Sequence, residues 1–162
     1  MRATDDFWET LEEVEPGAVA AIARRARDRR WEVIFLTSRP ETAGSTPQQQ
    51  TQRWLQRYGF ELPSVFVVTG SRGRIAEALC LDVVVDDLPE NCLDVLSDSK
   101  ATAILVWRGA LDAVPAGLRQ HGCSVVASVG ECLSMLAGLE IGPQPTTLLG
   151  RLKLAFGQAD PP

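Results

Sequence analysis

The chain has 162 residues, 45% of them hydrophobic and 23% charged, with a formal net charge of −5; this predicts one ordinary domain with its own core and disfavours a nucleic-acid surface. No apolar run reaches the ~20 residues of a membrane span, and Asp5 and Asp6 interrupt the start, so neither a membrane segment nor a leader is expected. Cys80, Cys92, Cys123 and Cys132 lack CxxC spacing and sit among apolar neighbours, which predicts buried, reduced thiols in a cytoplasmic protein rather than a metal cluster.

Thr4 is positioned to cap a first helix, with Asp5 and Asp6 in its first turn and Phe7, Leu11 and Val14 on one face until Pro16-Gly17 ends it. A second helix is expected from about Gly17 to Arg29, burying Val19, Ile22, Ala23 and Ala26. Arg24, Arg25, Arg27, Arg29 and Arg30 lie along it and read as a solvated face. Trp31 to Thr37 is an apolar, β-branched run ending in Thr37-Ser38, the pattern of a buried parallel strand. After an Arg39–Ser45 loop, Thr46-Pro47-Gln48-Gln49 starts a helix that carries Trp54, Leu55 and Tyr58 and stops at Gly59. A strand at Val65 to Val68 follows, then a helix opened by Thr69-Gly70-Ser71 and running through Leu79.

The run Asp82 to Asp86 is a second apolar strand with a polar end, Val83-Val84-Val85-Asp86-Asp87, followed by a helix from Pro89. Strands at Ala101 to Trp107 and Ser124 to Ala127, and a helix at Glu131 to Leu139, complete the alternation. Thr146 to Phe156 reads as an amphipathic helix before a polar end, so 1–145 is taken as a single domain and 146–162 as a C-terminal helix and tail. Repeated β-α alternation with short connections predicts an α/β fold, a doubly wound parallel sheet between two helical layers. Ligands of such sheets bind at the carboxyl ends of the strands. There, adjacent hydroxyls suit phosphate and adjacent carboxylates suit a hard cation.

The series Phe35-Leu36-Thr37-Ser38-Arg39-Pro40, Ser71-Arg72-Gly73-Arg74 and Val85-Asp86-Asp87-Leu88-Pro89-Glu90-Asn91 resembles the haloacid dehalogenase (HAD)-like superfamily, closest to its small capless phosphatases and nucleotidase-like members. The resemblance covers about residues 15 to 110. It implies that Thr37, with Ser38 beside it, holds a substrate phosphate, that one of Arg72 or Arg74 neutralises it, and that Asp86 and Asp87 hold Mg²⁺. From the residues alone, Thr37 and Ser38 equally satisfy backbone at a strand end, and Asp86 or Asp87 equally caps the next helix. Asn91 reads as a capping or packing residue beside the metal site. His121 has no Ser or Cys partner signature, so histidine-based catalysis is not expected.

The family's first motif, an apolar strand ending in Asp-x-Asp, is missing. Only Met1-Arg2-Ala3-Thr4 precedes Asp5, and Asp6-Phe7-Trp8-Glu9-Thr10 has Trp8 where the second carboxylate would stand. That motif supplies the nucleophile and the acid/base, so the covalent route is lost without it. In the family its strand is central, between those ending here at Thr37 and Asp86. Three outcomes follow: Met1 truncates a longer protein, another chain fills the slot by dimerisation or strand exchange, or the two strands close on each other. Two readings of function follow. One is an ancestral Mg²⁺-dependent phosphate-monoester hydrolase, inactive as written. The other is a non-catalytic phosphate-, metal- or protein-binding member. Neither reading calls for nucleic acid or a membrane.

Overall fold

The computed structural model describes residues 4–138, so the amphipathic helix expected at Thr146 to Phe156 lies outside the described residues. Parallel strands and helices alternate: α1 (Ala18–Arg29), β1 (Ile34–Thr37), α2 (Pro47–Arg57), β2 (Ser64–Val67), α3 (Arg72–Ala78), β3 (Val83–Asp86), α4 (Pro89–Asp98), β4 (Thr102–Val106), α5 (Ala116–Gln120), β5 (Ser124–Val126) and α6 (Val129–Gly138). The mixed α/β fold agrees with the sequence pattern. Its sheet is not continuous: β1 pairs with β2, and β3, β4 and β5 form a separate parallel sheet in that order. β1 and β3 share no ladder, so the two strands have not closed on each other.

Alternation along β4 shows how the helices cover the sheet. Ala103 and Leu105 join Ala76, Cys92, Val95 and Leu118 from α3, α4 and α5, whereas Ile104 and Val106 join Cys132 and Leu136 of α6. Successive strand residues point to opposite faces, so α6 lies on the face away from α3, α4 and α5. Helix α1 packs on α6 and, with α2, closes a third apolar cluster over β1 and β2 through Val19, Leu55 and Val65. On the other face of β1 and β2, Ile75 and Ala78 of α3, with Leu79, line an apolar groove together with Leu36, Phe66 and Val68.

Several helix ends form as their sequences dictate. Thr46 and Gln49 make a reciprocal capping box ahead of Pro47, satisfying two N–H groups that the helix start leaves free. Ser71 Oγ accepts the Arg74 N–H at the start of α3. Gly17, which has no side chain to cap with, is served by Glu13, whose carboxylate accepts the Gly17 and Val19 N–H groups at 2.6 and 2.8 Å.

The helix expected from Thr4 to Val14 is replaced by a single 3₁₀ turn, Phe7–Glu9. Asp6 adopts the left-handed conformation at φ 52°, and its carboxylate accepts the Ser45 N–H at 2.7 Å. Trp8 donates from its backbone N–H to Gln50 Oε1 and from its indole to the Pro40 carbonyl. These long-range bonds compete successfully with a short helix whose nucleation is unfavourable. A further correction concerns Cys80: it is exposed, whereas Cys92, Cys123 and Cys132 are buried. Helix α5 and the 3₁₀ turn Leu111–Ala113 have no counterpart in the elements expected from sequence.

Helices α3 and α4 approach most closely at Gly73. A Cβ there would overlap the Asp94 carbonyl oxygen and the Asp98 side chain, so only glycine allows this approach. Gly73→Ala should lower stability by about 1–3 kcal/mol, the usual cost of overpacking, read as a lower urea midpoint at unchanged m-value. An unchanged midpoint would show that the two helices separate freely.

Candidate functional site

The site is assembled at the carboxyl end of β1. The strand's apolar run ends at half-buried Thr37, whose carbonyl accepts the Val68 N–H at 2.8 Å and thereby ties this edge to the end of β2. Ser38 follows, exposed. Arg72, the first residue of α3, is only 6% accessible, and its Nη2 donates to Ser38 Oγ at 2.7 Å. Its Nη1 is buried and has no acceptor among the described residues. A buried donor left unsatisfied costs roughly 1–3 kcal/mol, more when it carries charge, so the position favours an incoming anion.

What holds Arg72 there is Asp94, a residue outside every motif legible in the chain. From the second turn of α4 its carboxylate accepts the Ser71 hydroxyl and the Gly73 N–H, both at 3.0 Å. The Gly73 N–H, with further help from Ser71, from the Arg72 backbone and from the charge of Arg74, holds the Asp94 carboxyl below the usual carboxylate range, against a smaller opposing effect of burial. Of the two arginine candidates the structure brings only Arg72 to Ser38. The Arg74 side chain is 84% exposed and reaches Asp98 at 3.7 Å.

Asp86 and Asp87 end β3. Asp94 joins the start of α3 to the middle of the helix that follows β3. Asp86 closes a turn ahead of α4, which itself has no side-chain cap: it accepts the Leu88 N–H at 2.9 Å, and Asn91 Nδ2 reaches both of its oxygens at 3.0 Å. Asp87 is exposed. An Asp86 fixed in this way keeps part of its lone-pair capacity, and Asp87 is open to solvent. Among the described residues no group of three or more His, Cys, Asp or Glu is placed to hold a metal ion, so at this strand end a cation would have these two carboxylates alone. His121 is exposed, and its Nδ1 lies 2.6 Å from the Gly117 carbonyl.

A second feature is a cleft of about 500 Å³ beside β2, lined by Arg39, Glu41, Gln48, Phe66, Val67 and Thr69. Its rim, the loop after β1, is held by fully buried Gln50, whose amide donates to Thr42 Oγ1 and to the Ser45 carbonyl. Arg39 lies over the rings of Trp8 and Trp54 and donates to Thr51 Oγ1, while burial pushes its pKa down from the usual arginine value. The sequence pattern puts Arg39 and Glu41 in a loop, Gln48 at a helix start and Phe66 and Val67 in a strand, and does not join them. The buried thiols are inert by contrast: desolvation raises Cys92 and Cys123 and pushes Cys132 up to about 11.

Comparison with protein-family models, curated proteins and solved structures returned no match to this chain.

Asp94 sets a pH dependence. Its folded pKa lies below the unfolded value of about 3.9, so the unfolded state binds more protons and stability rises with pH in that range. The contribution is full well above pH 4 and is lost as pH falls through the folded pKa. Urea midpoints measured from pH 6 to pH 2.5 should therefore fall more steeply for the wild type than for Asp94→Asn; parallel curves would remove Asp94 from the explanation.

Proposed function

We propose that this chain has the HAD-like phosphohydrolase fold, for which Mg²⁺-dependent phosphate-monoester hydrolysis is the ancestral activity. As written, it retains the phosphate-holding elements of the site without a nucleophile. The observation that carries this reading is Arg72, a buried guanidinium bonded to Ser38 at a strand's carboxyl end with one nitrogen left without an acceptor. A phosphoryl oxygen offers the charge-assisted acceptor that this nitrogen lacks. Thr37 and Ser38 contribute hydroxyls on the same strand end, and Arg74, turned away to Asp98, takes no part.

Asp87, with Asp86 oriented by Asn91 and the Leu88 N–H, would hold the metal ion. When bound, Mg²⁺ would neutralise phosphoryl oxygens. Arg72 and Ser38 would orient the phosphate, and no side chain at the end of β1 or β3 is placed in the missing nucleophile's role. Binding without turnover is the expected behaviour.

Titration of inorganic phosphate into the chain by calorimetry tests the reading. Binding should weaken by about tenfold or more in Arg72→Gln, the loss of a charged hydrogen-bond donor, and stay unchanged in Arg74→Gln. Generic phosphate monoesters with Mg²⁺ should give no hydrolysis above background. Equal affinity in wild type and Arg72→Gln, or turnover that Asp86→Asn abolishes, would overturn it.

A further inference from the structure

Five of the chain's 16 basic side chains stand in the C-terminal half of α1 and at its C-cap: Arg24, Arg25, Arg27, Arg29 and Arg30. Asp28 is the one carboxylate among them, and the remaining residues hold 11 basic against 20 acidic side chains. A stretch of +4 is therefore set on a body of −9. Helix α1 buries Val19, Ala23 and Ala26, while Arg24, Arg27, Arg29 and Arg30 are exposed and Arg25 is half-buried. Among the described residues Arg53, Arg57, Arg74 and Arg108 each reach a carboxylate. Of the five on α1 only Arg29 has a side-chain bond, to the Ala137 carbonyl. The negative end of the helix dipole favours Arg27 and Arg29 in the last turn and Arg30 at the cap. It does not account for Arg24 and Arg25 a turn earlier. Arg24 with Arg27, and Arg25 with Arg29, are like charges at the i, i+3 and i, i+4 spacings that destabilise a helix.

We propose that the arginine face of α1 binds a short acidic segment of another polypeptide, one that carries several carboxylates in a row. Guanidinium groups take carboxylates through paired, charge-assisted N–H donors. The segment is short because the basic half of α1 spans roughly 10 Å and attraction between exposed charges fades beyond about 8 Å at physiological ionic strength. A nucleic-acid duplex or an anionic membrane would extend past that stretch and meet the −9 of the remaining residues, which repels it. A second copy of this chain is a poor occupant. Its acidic stretch, Asp5 to Glu15, is already committed: Asp6 holds the Ser45 N–H, Glu9 pairs with Arg53 and Arg57, Glu13 serves the start of α1 and Glu15 pairs with Arg108. This inference goes beyond phosphate binding and stands whether or not phosphate binds, since Arg72 takes no part in it.

The test uses the full chain and a fluorescein-labelled synthetic peptide with about six consecutive glutamates, followed by fluorescence anisotropy. Saturable binding is expected, and it should weaken severalfold as salt rises from low to physiological ionic strength. The same peptide with glutamine in place of glutamate should not bind. Arg24→Gln combined with Arg27→Gln should weaken binding at least about fivefold, whereas Arg24→Lys with Arg27→Lys should keep most of it, which separates lost charge from a disturbed helix. Arg119→Gln, which removes an exposed charge from α5, should leave it unchanged. Arg72→Gln, which weakens phosphate binding, should not alter it either, so the two sites fail separately. No saturable binding, or an equal loss in Arg119→Gln, would overturn the proposal. So would tighter binding of a short DNA duplex, or of vesicles made of phosphatidylserine and phosphatidylcholine in equal parts.

Discussion

The contact between α3 and α4 is the constraint on which the rest depends. A sheet broken between β1 and β3 has no ladder to hold its halves in register, so that task passes to the helices. Gly73 lets α3 approach the α4 backbone, and the Asp94 carboxylate fastens the start of α3 through Ser71 and the Gly73 N–H. Helix α3 also faces Leu36 and Phe66 of the other half-sheet. On the opposite face Glu15, just before α1, accepts from Arg108 after β4 and from the Val129 N–H that starts α6. The Arg29 guanidinium meets the Ala137 carbonyl where α1 and α6 end. Both faces thus carry a clamp across the break.

The same clamp creates the chemistry of the site. Arg72 is the first residue of α3, so fixing that helix buries its guanidinium beside Ser38 and leaves one nitrogen without a partner. A charged group is rarely kept in such a position unless something pairs with it. The carboxylates of β3 are treated differently. Asp86 is drawn into the start of α4, where Pro89 supplies the first-turn geometry and the helix N-terminus favours negative charge. Asp87 is left in water. One strand end thus offers a desolvated cation and the other an ordered and a free carboxylate.

Elements with a strong local signal were legible in the sequence. The Thr46–Gln49 capping box, the apolar strands ending at Thr37 and Asp86, and the stop at Gly59 all rest on interactions within a few residues. The failures share a physical cause. Thr4 to Val14 has a helical pattern, yet Asp6 and Trp8 bond to residues some forty positions away, and those bonds decide its conformation. Cys80 has apolar neighbours in sequence but follows the end of α3 with φ 51°, which turns it outward. Asp94 and the cleft around Arg39 carried no signal, because their roles exist only once distant segments meet.

For the site, the sequence by itself determined which residue types stand at the two strand ends: hydroxyls after β1, carboxylates after β3, and two arginines near the start of α3. It also determined that no strand of the described chain was available to lie between them. Local spacing and strand composition are enough for that much. Only the tertiary structure chose between Arg72 and Arg74, tied Asp86 to Asn91 and the Leu88 N–H, and left the sheet open. Each of those outcomes depends on which groups lose water and which find partners, and that is set by the packing of α3 against α4 and not by neighbours in the chain.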